Sequence, residues 1–248
     1  MTTPNDPESS DPRSIEPRVP RSRAQHLTMW GVSLLVVAIL ASLLVPAFRG
    51  FIFKGRMTEN LGRGRQLYLA MRAYASEIQH GKRYPTFLDD ENGVGLFQTS
   101  NEALQVLVPR YLDDKRPIYN AQSAWCTERR SDPHTNNILP GENDWCYMRG
   151  LTDNSNSRWP ILANAFVPGT THYITDRSKP GGVWKGANAV VIWSGGSAEI
   201  AATEQRGATY FIPRADDASS DAFVPDGDWL SGENIQLLYP ELPANERR

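Results

Sequence analysis

Cysteine is scarce: the 248-residue chain has only Cys126 and Cys146. Two thiols cannot complete a tetrahedral zinc site unaided, and no C-x-x-C occurs. Histidine is nearly as rare. His26, His80, His134 and His172 form neither H-E-x-x-H nor any paired metal spacing. His80 falls at an expected helix end, where a dipole partner is the simpler reading. There is no P-loop, no G-x-G-x-x-G and no G-x-S-x-G, and Ser194-Gly195-Gly196-Ser197 reads as a turn. Charge of one sign is lacking too: 26 Lys and Arg face 28 Asp and Glu, for a formal net charge of −2. That balance argues against a nucleic-acid partner, which needs uncompensated clusters of Lys and Arg. The expectation is a protein that is not an enzyme, with no catalytic, cofactor-binding or metal residues and no small-molecule substrate.

Two acidic stretches, 89–93 (DDENG) and 216–228 (DDASSDAFVPDGD), carry the hard oxygen ligands that calcium takes, without EF-hand spacing. Calcium is thus the one cofactor to be weighed, against solvated loops. The tryptophans Trp125, Trp145, Trp159, Trp184, Trp193 and Trp229 are expected mainly as core plugs, with one or two free for a partner or glycan.

What is present begins with a Pro-, Ser- and Asp-rich opening, 1–26, too poor in apolar groups to offset the entropy of ordering. From Leu27 to Phe48 no charge occurs. At 1.5 Å per residue this run covers roughly 33 Å, enough for a bilayer core of about 30 Å. A transmembrane helix over 27–48 is therefore expected, with Pro46 kinking it. Val45-Pro46-Ala47 leaves open a second reading, removal as a secretion signal after Ala47. Basic residues flank both ends, so orientation rests on the cysteines. These favour an oxidising compartment for the C-terminal part and hence a cytoplasmic N-terminus. There a Cys126–Cys146 disulfide would contribute roughly 3 kcal/mol by loop entropy; two buried thiols are the other reading.

Beyond the apolar run, Leu61, Tyr68, Met71, Ala75 and Ile78 recur at helical spacing. They predict an amphipathic helix over 49–85 whose apolar face packs on the following domain, 86–248. Gly62 and Gly64 weaken it; Gly81 and Pro85 end it. A short helix is expected at 101–112 with Asn101 as N-cap. Strands are expected at 158–166 and 171–175, and a hairpin at Ala189–Trp193 and Ala198–Ala201.

Together these segments resemble type IV pilins and type II secretion pseudopilins, of the kind abundant in Planctomycetes and Verrucomicrobia. The likeness rests on LLVVAILASLLVPAF, then 59–85 with its Gly-x-x-Tyr-Pro exit, then 107–119, 145–154, 160–166 and 188–200 in order. The resemblance implies a pilin-like α+β fold, a long N-terminal helix on a small antiparallel sheet with long loops. It also implies a structural subunit of a type II secretion or type IV pilus-like system. Partners would be the membrane, crossed once, and other pilin-like or secretion-system subunits, with the main domain in the periplasm of a bacterial inner-membrane protein. The family's prepilin peptidase site maps to Gly31–Val32, but Val36 stands where that family carries a glutamate. This departure favours the alternative of an uncleaved, membrane-anchored periplasmic interaction module with a pilin-like fold.

Overall fold

The computed structural model describes residues 23–77, 80–90, 93–127, 132, 134–232 and 234–243. The expected disordered opening, apart from 23–26, lies outside them, as does Ile78. The chain divides into two compact units, Met1–Ile52 and Phe53–Arg248. Helix α1, Arg23–Ser76, contributes to both.

In the first unit, α1 carries an apolar run. Every described side chain from Met29 to Ser42 is exposed.

The second unit is organised by sheet. Five antiparallel strands stand in the order β6-β5-β4-β3-β9. They are β3 (Trp145–Arg149), β4 (Pro160–Asn164), β5 (Asn188–Trp193), β6 (Ala198–Ala202) and β9 (Gln236–Leu238). Two separate hairpins accompany them: β1 (Phe87–Asp90) with β2 (Gly93–Leu96), and β7 (Glu204–Arg206) with β8 (Thr209–Phe211). β3 and β4 are buried along their whole length and β5 nearly so. This is why they read as continuous apolar runs rather than as alternation. The hairpin expected after Ala189 is β5–β6.

The residues of α1 in this unit are one-sided. Met57, Asn60, Gly64, Leu67, Tyr68, Met71 and Ala75 are buried, whereas Thr58, Glu59, Arg65, Gln66 and Leu69 are exposed. Tyr68, Met71 and Ala75 join the main core and Leu61 packs against it. Of the predicted packing stripe, only Ile78 lies outside the described residues.

Several expectations are corrected. The predicted pilin-like α+β fold needs a helix with a transmembrane half resting on a small sheet. Among the described residues no helix is long and apolar enough to cross a membrane. The folded unit is sheet-centred, with hairpins where loops were expected. The single-pass inner-membrane placement, with its periplasmic domain, falls with the span, and nothing else supports pilin or secretion-system membership. The disulfide is absent as well: Cys126 and Cys146 are buried free thiols. Helix α2 (Ser100–Gln105) is shorter than expected and is capped by Thr99, not Asn101. The Thr99 hydroxyl accepts from Glu102 N–H while the Glu102 carboxylate accepts from Thr99 N–H, a capping box. Instead of capping, Asn101 is buried and donates to the Leu139 carbonyl. The strand expected at 171–175 is a single bridge, Tyr173 with Tyr210.

Candidate functional site

Three places in the molecule merit a functional reading.

The first is the apolar run of α1 in the first unit. Leu34, Leu35, Val36 and Val37 are consecutive and exposed by 66, 61, 48 and 61%. At 3.6 residues per turn, four consecutive positions point around almost the whole circumference. This run therefore has no polar face on which to rest in water. Gly31 and Val32, the expected processing pair, lie within it. A Cβ at Gly31 would meet nothing, and Val32 is exposed. The side chain of Pro46 lies outside the described ones.

The second is a buried polar cluster in the sheet unit. Asp144, fully buried, accepts through Oδ2 from Asn120 Nδ2 (2.7 Å) and Asn164 Nδ2 (2.8 Å). Its Oδ1 has no partner within normal hydrogen-bond geometry, with the Asn60 amide of α1 and the Ser123 hydroxyl close enough to favour the charged carboxyl. Burial pushes the carboxyl up to about 6, and the surrounding hydroxyl and amide groups pull it back only in part. Asn164 also accepts from Trp184 Nε1 (2.7 Å). Nearby, Lys115 Nζ meets Glu142 Oε2 at 2.9 Å with both side chains almost wholly buried, and donates to the Asn137 carbonyl. The Asp144 bonds fasten Asn120 to β4, and the Lys115–Glu142 pair closes the loop-rich segment 113–143 on itself. The indoles fasten loops as well. Trp145 Nε1 donates to the Pro117 carbonyl, Trp125 Nε1 to Phe166, and Trp229 Nε1 to Ala222. The tryptophans are thus core plugs that also pin loops. Trp159 is half-buried, with its indole N–H unpartnered.

The third is an open groove of about 710 Å³ between the exposed face of α1 and segment 111–117. Glu59, Arg63, Leu69, Tyr111, Asp113 and Arg116 are among its lining. Its charges are mixed and partly used: Arg63 pairs with Glu59 at 2.5 Å, and Arg116 pairs with Asp114.

The candidate calcium loops do not converge. In 216–228, Asp216 and Asp226 face Arg214, Asp217 accepts from Ser219 and Ser220, and Asp221 accepts from Thr171. In 89–93, Glu91 and Asn92 lie outside the described residues. Among the described residues, no three His, Cys, Asp or Glu side chains come together as metal ligands. His80 stacks on Tyr74 at 3.7 Å, beside Glu77.

Sequence reasoning missed the Asp144 cluster and the Lys115–Glu142 pair. Their residue types are those of any polar loop, and only the fold buries them. No family model, no curated protein and no solved structure matches this chain.

Proposed function

We propose that the chain is a structural, non-enzymatic assembly subunit, joined to equivalent subunits through the apolar helical run at 29–42. The observation that carries this is the exposure of Leu34–Val37 on all sides of the helix. A stripe on one face would need one neighbour; an apolar surface all round needs several, as in a helical bundle. Burying a Leu, Val or Ile side chain contributes roughly 1.5–3 kcal/mol, so a few such contacts per subunit hold an assembly. The pseudopilin-like form of this reading rests on the sequence resemblance of the segments from 59 to 200 alone.

The test is the mass in solution. The wild-type chain is expected as a multimer, and Leu35→Glu with Ile39→Glu is expected to reduce its order. A wild-type monomer over about 1–100 µM would contradict the proposal.

The groove beside Glu59 and Tyr111 favours a second reading, a binding module for a partner protein. Substitution of exposed Leu69 would then weaken partner capture without altering self-association.

A further inference from the structure

We infer that the free edge of β6 is a second self-association surface, on which the β6 strand of another copy pairs antiparallel about a two-fold axis at Ile200. The register of the β5–β6 pair decides which backbone groups are available. Val191 faces Glu199 and Ala189 faces Ala201. Trp193 N–H donates to the Ser197 carbonyl, and Thr203 N–H to the Ala187 carbonyl. The odd positions of β6 therefore exchange bonds with β5. The N–H and C=O of Ala198, Ile200 and Ala202 point to the outer edge, because pairing alternates along an antiparallel strand. The contact recorded there among the described residues is a long one, Arg65 Nη2 to the Ala198 carbonyl at 3.4 Å.

Edge strands usually carry a device against such pairing: a lysine, a proline, a bulge, or a charge turned inward. β6 is Ala-Glu-Ile-Ala-Ala, paired with β5 over five residues in an unbroken register. Its one charge, Glu199, accepts from Trp193 Nε1 at 2.9 Å and belongs to the alternate set of side chains. The opposite edge of the sheet, β9, has only three residues.

Self-complementarity selects both the occupant and the register. With the axis at Ile200, Ile200 faces Ile200 of the second copy and Ala198 faces Ala202. All three outward positions then exchange both N–H···O bonds. Each Glu199 lies opposite an alanine. Moving the axis to Glu199 would set two carboxylates directly opposite in a close, non-hydrogen-bonded pair, which is destabilising. Moving it to Ala201 would leave Ala198 unpaired. Ile200 is 37% exposed, so its contact with the second Ile200 buries apolar area as the ladder closes. Pairing displaces Arg65 from Ala198.

This surface is separate from the helical run, and the experiment keeps the two apart. The full chain carrying Leu35→Glu and Ile39→Glu is followed by mass and by amide exchange across 198–202. We expect a dimer of twice 27.7 kDa. Exchange at 198–202 should slow about tenfold between about 1 and about 100 µM, and Ile200→Lys should abolish both effects. The exchange readout on the unsubstituted strand does not depend on whether the lysine variant folds. Exchange independent of concentration, or a dimer indifferent to Ile200→Lys, would overturn the inference and leave the helix-mediated assembly standing. A wild-type chain that shows only the β6 pairing would do the reverse.

Discussion

Gly64 of α1 lies against Ile192 of β5 so closely that a Cβ at residue 64 would sit 2.7 Å from the isoleucine Cδ1 and 2.8 Å from the Trp145 ring. The helix rests on the sheet at this point. One turn later the Tyr68 hydroxyl donates to the Ser194 carbonyl at 2.8 Å, tying α1 to the β5–β6 turn.

A pair of alanine substitutions tests that contact. Gly64→Ala should gain helix propensity yet lose more to overpacking, a net destabilisation of about 1–3 kcal/mol. Gly62→Ala meets nothing within 4 Å and should stabilise by about 0.5–1 kcal/mol. Urea unfolding of both variants gives the two signs directly.

Asp144 predicts a pH dependence. Its folded carboxyl titrates at about 6, against 3.8 unfolded. The stability associated with the protonated group is complete below 3.8. It is lost as pH rises from there through about 6, at a total cost of roughly 3 kcal/mol. Asp144→Asn keeps an oxygen for the Asn120 and Asn164 amides and turns an N–H₂ towards Asn60. It should therefore raise stability at pH 7.5 by about 1–3 kcal/mol, with the gain shrinking towards pH 4. Unfolding midpoints across that range check the sign.

The Lys115–Glu142 pair should be more sensitive to losing one partner than both. Lys115→Met leaves Glu142 charged and buried, at a cost of about 3–5 kcal/mol. Lys115→Met with Glu142→Leu should cost clearly less. A double-mutant cycle by denaturant unfolding measures the difference.

The cysteines should behave as two protected thiols. Burial raises both well above the usual thiol range. A maleimide should label neither in the native protein and both after denaturation, with no reductant required. An intact mass lighter by two hydrogens would instead report a disulfide.

Much of the second unit was legible because its signals are local. The spacing from Leu61 to Ala75 found the buried face of α1, and Ser-Gly-Gly after an apolar run found the β5–β6 hairpin. What failed depended on tertiary context. Thr99 rather than Asn101 caps α2, because Asn101 is drawn into the interior by the 138–143 loop. The weak helical signal of Gly64 hid a packing requirement, since a glycine that costs propensity can repay it in close approach. Strand β9 followed an acidic loop and paired with β3 from far along the chain, which no local pattern specifies. The uncharged Leu-, Val- and Ile-rich run at 27–48 reads as a membrane span by its length and lack of charge. Tryptophans were found as core plugs, but their indole bonds to the carbonyls of Pro117, Phe166 and Ala222 arise only once the loops are folded.

The central claim is that the apolar run of α1 holds subunits together, and sedimentation equilibrium of the wild-type chain beside Leu35→Glu/Ile39→Glu tests it most directly. The account predicts a wild-type mass several times 27.7 kDa, falling to the order set by β6 alone in the variant. Equal masses for the two proteins at every concentration would contradict it.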